Sequence, residues 1–175
     1  ILISRVFNKI HKIISEIFHL TYYSEGSWYG NDTIWRTCLD INKILFYTDK
    51  NGNIYNNKTE RKYIAIIDGI IGGEKEAPLE PTPINSGITV AAFNPVVSDF
   101  VAAKAMGIDP YKVPIVENSF LQNSLPIFDK KPEEIVVKSS EECFNINASS
   151  IKIIKQFEPS SGWKGHIEIK ENIKC

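Results

Sequence analysis

The sequence predicts an α/β fold: a single domain with a mixed or mostly parallel central sheet flanked by helices. Three observations predict it. Two short apolar runs, YIAIIDGII at residues 63–71 and GITVAAF at residues 87–93, read as strands buried on both faces. Helical patterns precede the first run and follow the second, so strand and helix alternate along the chain. The size, 175 residues with 43% hydrophobic side chains, suits one domain with a core of its own.

The elements follow in order. Residues 1–20 place Ile3, Val6, Phe7, Ile10, Ile13, Ile14, Ile17 and Phe18 at helical spacing, which predicts a core-packing helix. Residues 21–30, TYYSEGSWYG, form an aromatic, glycine-containing loop. Asn31 or Asp32 then caps a second helix with Ile34, Trp35, Cys38, Leu39, Ile41, Leu45 and Phe46 on its buried stripe. Residues 49–60 hold an Asn-Gly turn in a polar excursion. After the first strand, residues 72–87 carry three prolines and read as a long functional loop. Asn94-Pro95 is a cap followed by a first-turn proline, so a helix runs from Pro95 to about Met106 and stops at Gly107. A short helix is expected at 112–121, and strands at 134–138, 150–155 and 166–170.

Composition excludes several classes of function. Twenty cationic residues balance 21 acids, for a net charge of -1, so the chain is not a basic nucleic-acid binder. Apolar content is too high and charge too low for disorder. No apolar stretch is long enough to span a membrane. The 28 Ile, 17 Lys and 14 Asn, against three Arg, reflect AT-rich codons and point to a bacterial source. Cys38, Cys143 and Cys175 are isolated, so no local C-x-x-C builds a zinc or iron–sulfur site, and a reduced, cytoplasmic chain is expected. The opening Ile1 leads directly into a helical pattern, and the chain reads as the C-terminal part of a longer protein.

Chemistry is expected at the ends of the strands, where open α/β sheets bind ligands. Asp68 ends the first apolar run, Glu74 follows two glycines, and Asn94 ends the second run. Asp99 lies one turn into the next helix, on a face with Ala102, Ala103 and Met106. An acid on so apolar a face needs a metal, a partner or a donor. Three converging carboxylates suit a hard divalent cation such as magnesium. The other reading of the same residues is structural: Asp68 holds its own turn, and Asp99 caps a neighbouring amide. Around residues 22–37, Trp28, Tyr29 and Trp35 surround Asn31, Asp32 and Arg36, a mixture that suits a sugar or nucleotide pocket. Equally, the tryptophans fill the core and Arg36 pairs with Asp32 at i,i+4 spacing.

The stretches IIDGIIGGEKEAPLEPTP and SGITVAAFNPVVSDFVAAKAMGIDPYKVP resemble the family called domain of unknown function 362. GSWYGNDTIWRTCLDINKIL is similar to one branch of that family, and FEPSSGWKGHIE resembles its C-terminal stretch. The resemblance covers about residues 22–120 and 157–168. It implies a longer protein, and a common site made by Asp68, Glu74, Pro78, Asn94 and Asp99. Some members carry iron–sulfur cysteine clusters, and no such cluster falls within this segment. Lys75, Glu76 and Ala77 stand where the family has glycine-rich spacing, which leaves Lys75 as the candidate charge in place of a backbone anion cradle.

The function expected is a carboxylate-lined crevice that binds a divalent metal and a small polar molecule. Asp68, Glu74 and Asp99 are its metal ligands or acid–base groups, and Trp28, Asn31, Asp32, Arg36 and Asn94 hold the substrate. The alternatives are a non-catalytic interaction module and a redox accessory domain of an iron–sulfur protein.

Overall fold

A computed structural model of the chain describes residues 10, 13, 14, 17, 27–55, 61–121 and 124–170. The regular elements are α1 (Ile34–Tyr47), β1 (Ala65–Glu76), β2 (Glu80–Ala92), α2 (Pro95–Ala105) and α3 (Pro114–Ser119), with single 3-10 turns between and after them.

The expected central sheet is not there. Among the described residues the sheet has two strands, β1 and β2, paired antiparallel as one long hairpin. The segment taken for a proline-rich loop is the hairpin's far half: Gly73 pairs with Pro83, Glu74 with Thr82 and Lys75 with Pro81. Lys75 donates its backbone N–H away from β2, to the carbonyl of Glu158 at 2.8 Å. Lys75 and Pro81 therefore form a non-hydrogen-bonded pair, and the missing N–H of Pro81 costs the ladder nothing.

The apolar runs are not buried on both faces either. Ile67, Ile84, Ile88 and Val90 face inward, while Ile66, Ile70 and Ile71 are exposed. An antiparallel hairpin buries one face, and period-2 burial is its pattern. The strands expected at 134–138 and 166–170 shrink to isolated bridges, Val136 with Asn147 and Ile108 with Glu168, and 150–155 is irregular. Each bridged run pairs at a single residue, too little to extend a ladder.

The helices follow the sequence more closely, although Ile34, Ile41 and Leu45, expected on the buried stripe of α1, are exposed, because the face that α1 buries carries Leu39, Phe46 and Tyr47. Asn94 caps α2 by accepting the Val96 N–H at 2.9 Å, and its amide donates to the Ile127 carbonyl at 2.7 Å. Gly107, at φ 75°, ends α2 in the left-handed region. At α1, Asn31 Oδ1 accepts from the N–H groups of Thr33 and Ile34, both at 3.1 Å. The short helix expected at 112–121 is α3. Ile10, Ile13, Ile14 and Ile17 are helical but exposed, so these four do not pack into the core as expected. The remainder of 1–20, residues 21–26 of the aromatic loop and 56–60 of the polar excursion lie outside the described residues. Cys38, expected in the core, is half-buried.

α2 is the central beam. Phe100, Val101, Val116, Ile135, Ala148 and Ile151 form one core cluster, and Val90 of β2 packs against it. Leu39, Phe46, Tyr47, Val96 and Ile127 form a second between α1 and α2. Phe100 is fully buried and meets Tyr111 and Phe120 edge-on at 5.7 Å.

Candidate functional site

A strap, residues 154–169, leaves the end of α2, crosses to the far half of the hairpin and returns. At one end, Ile154 and Lys155 donate to the Ala105 carbonyl, and Phe157 donates to that of Met106. In its middle, the Glu158 N–H is held by Glu74 Oε2 at 3.0 Å and the Ser161 N–H by Glu76 Oε1 at 2.9 Å, and its far end returns to the end of α2, where Ile169 donates to the Gly107 carbonyl. Gly72 makes this approach possible, since a Cβ there would lie 2.7 Å from the Phe157 ring.

Strap, hairpin, α2 and α3 line an open crevice of about 420 Å³, within the range of small-molecule sites. Its walls are mostly apolar, with Ala102, Met106, Ile115, Val116, Phe157 and Trp163 among them. Set into those walls are Glu74, Lys75, Asp99 and Glu158. The apolar face shared by Asp99, Ala102, Ala103 and Met106 is thus the crevice face.

The four charged groups differ in what holds them. Glu158 pairs with Lys164 at 2.5 Å, and the hydrogen bond and charge of Lys164 hold its carboxyl below the usual range, helped by the nearby Lys75. Glu74 accepts the strap N–H. Lys75 sits at φ 62°, a conformation a non-glycine residue adopts only when its surroundings impose it. Asp99 has neither a hydrogen bond nor an ion pair among the described residues. It reaches solvent, yet the protein packed around its carboxyl desolvates it and pushes its pKa up.

The other expected residues disperse. Asp68 is mid-strand, opposite Thr89, where its carboxylate accepts the Ile70 N–H at 3.3 Å. It borders a smaller recess of about 190 Å³ that adjoins the crevice at Gly73, Met106 and Phe157. Asn94 borders a separate recess with Arg61 and Tyr63, and both ends of its amide are already bonded. Asp32 and Arg36 pair with each other at 2.9 Å on the surface of α1, with the guanidinium over the Trp35 ring. Trp28 is exposed. Asn31 and Trp35 line a second cavity of about 280 Å³, which shares Val113, Ile115 and Trp163 with the crevice. Tyr29 fixes that junction, edge-on to Trp163 and stacked on His166 at 4.4 Å.

Glu158, Trp163 and Lys164 went unread in the sequence except as part of a familiar stretch. The signal available was FEPSSGWKG itself, a Pro/Gly/Ser loop carrying a large aromatic. Among the described residues, no three of His, Cys, Asp and Glu are grouped to hold a metal ion. No described helix is long and apolar enough to cross a membrane. Compared with known proteins, the chain matches no family model, no curated protein and no solved structure.

Proposed function

We propose that the crevice between hairpin, α2 and strap binds a small organic molecule, with Asp99 as the polar group that recognises it or handles its proton. One observation carries this reading: an unpartnered carboxylate, its pKa raised by desolvation, stands on the apolar wall of a cavity of about 420 Å³. Perturbed acids in clefts mark functional sites more often than structural ones do. Glu74 shapes the site by holding the strap, and Lys75 places a charge at its rim. The stretches resembling the family converge here too: residues 73–77, 99–106 and 157–163 all contribute to the walls. Among the described residues no three of His, Cys, Asp and Glu are grouped to hold a metal ion, and the reading takes Asp99 as a side-chain anchor. The free thiols of Cys38 and Cys143 support a reducing, cytoplasmic setting.

The test is binding of N-phenyl-1-naphthylamine, a neutral apolar fluorophore. Ala102→Phe puts a ring into the cavity and is expected to weaken binding at least about fivefold, roughly 1 kcal/mol, with the thermal midpoint kept. Equal binding by wild type and variant would sink the reading.

A second reading, a non-catalytic interaction module, is favoured by the hairpin's outer face. Ile66, Ile70 and Ile71 are exposed there, as are Leu79 at the hairpin tip and Phe93 just past β2.

A further inference from the structure

We infer that the crevice takes a primary amine carried on an elongated apolar or aromatic body. This rests on the binding reading above and names its ligand class.

The charge comes first. Glu158 is neutralised by Lys164, and Glu74 is occupied by the strap N–H. Lys75 acts on Glu158 by charge, and its backbone is tied to the strap at the rim. Asp99 is the one carboxylate on the wall with no hydrogen bond or ion pair among the described residues. An alkylammonium brings three N–H donors and the opposite charge, which is the exchange a partly desolvated carboxylate favours most.

Shape comes next. Ala102, Met106, Ile115 and Val116 would stay wet beneath a small hydrophilic amine. An apolar body covers them. The second cavity, about 280 Å³, shares Val113, Ile115 and Trp163 with the first and is lined further on by Asn31 and Trp35. A ligand anchored at Asp99 can lie along the crevice against the Trp163 ring, since both line it. The indole of Trp163, held edge-on by Tyr29, offers that body an aromatic wall.

The test compares three probes of one shape: 4-phenylbutylamine, 4-phenylbutanol and 4-phenylbutyrate, titrated calorimetrically at pH 7 into the full chain. The amine is expected to bind about tenfold tighter than the alcohol, since its hydrogen bond to the carboxylate is charge-assisted. The carboxylate is expected to bind weakest. In Asp99→Asn, which keeps the side-chain shape, the preference of amine over alcohol should fall to about twofold or less, because the charge is gone. Equal binding of amine and alcohol to wild type would overturn the amine inference while leaving the crevice reading standing. Tightest binding of 4-phenylbutyrate would overturn it in favour of Lys75 as the anchor. Failure of all three probes to bind would remove both. An amine preference that survives in Asp99→Asn would also overturn the inference, because the charge would lie elsewhere.

Discussion

Three aspartates that look alike in the sequence have three different environments. Asp32 is drawn below its ordinary pKa by the hydrogen bond and charge of Arg36. Asp49 is lowered to about 2 by the side chain and backbone of Asn53, with the Asn51 N–H assisting. Asp99 is pushed the other way by desolvation alone. The sign for stability follows. A carboxyl whose folded pKa is raised holds its proton more tightly when folded, so its ionisation above the ordinary value of 3.8 weakens the fold. Asp99→Asn is therefore expected to raise stability at pH 7, and the gain should disappear below about pH 3.8, where both states are protonated. Urea unfolding of both proteins from pH 3 to pH 8 checks this. A gain that is constant with pH would show that desolvation of the charge is not its cause.

Spacing alone placed Asp99 on an apolar helix face, because 100° per residue is fixed by the helix itself. The sequence did not show that Asp68 would miss the site. That depended on strand direction, and a run such as AIIDGII reads the same in a parallel or an antiparallel sheet.

At the level of elements, local signals carried well and pairings did not. Asn94-Pro95 and Gly107 bound α2 because caps are short-range chemistry. The hairpin was missed because Pro81 and Pro83 argue against a strand. Two prolines sit in β2 without harm because their nitrogens face away from β1, and that orientation becomes visible only once the register is known. The strap depends on a glycine in the same way. Gly72→Ala would normally suit a strand interior, but here the new Cβ meets the buried Phe157 ring at 2.7 Å. The variant is expected to lose about 1–3 kcal/mol, the usual cost of overpacking, as measured by urea unfolding. It should weaken the binding of any crevice ligand with it, because Phe157 is a wall of the cavity. Unchanged stability would mean that the strap is not seated on the hairpin.

At the scale of the molecule, a sheet of two strands among the described residues, with apolar side chains exposed on one face, is the feature composition could not show. Hydrophobic content of 43% predicted a core but not which apolar residues stay outside it. Ile66 and Ile70 are 67% and 57% exposed, so they add to surface association rather than to the core. The double variant Ile66→Thr, Ile70→Thr is expected to reduce light scattering on concentration. Stability should change by no more than about 1 kcal/mol, as is usual for surface positions. A loss of several kcal/mol would show that this face is covered within the folded chain.

The crevice binds the architecture together: the hairpin gives Glu74 and Lys75, α2 gives Asp99, and the strap closes them over an apolar floor. The most direct measurement of that account is a crystal of the full chain soaked with 4-phenylbutylamine. The predicted result is the ammonium about 2.7–2.9 Å from the Asp99 carboxylate, as a charge-assisted bond requires, with the phenyl ring against Trp163. An empty crevice, with the probe lying instead on the exposed face of the hairpin, would contradict it.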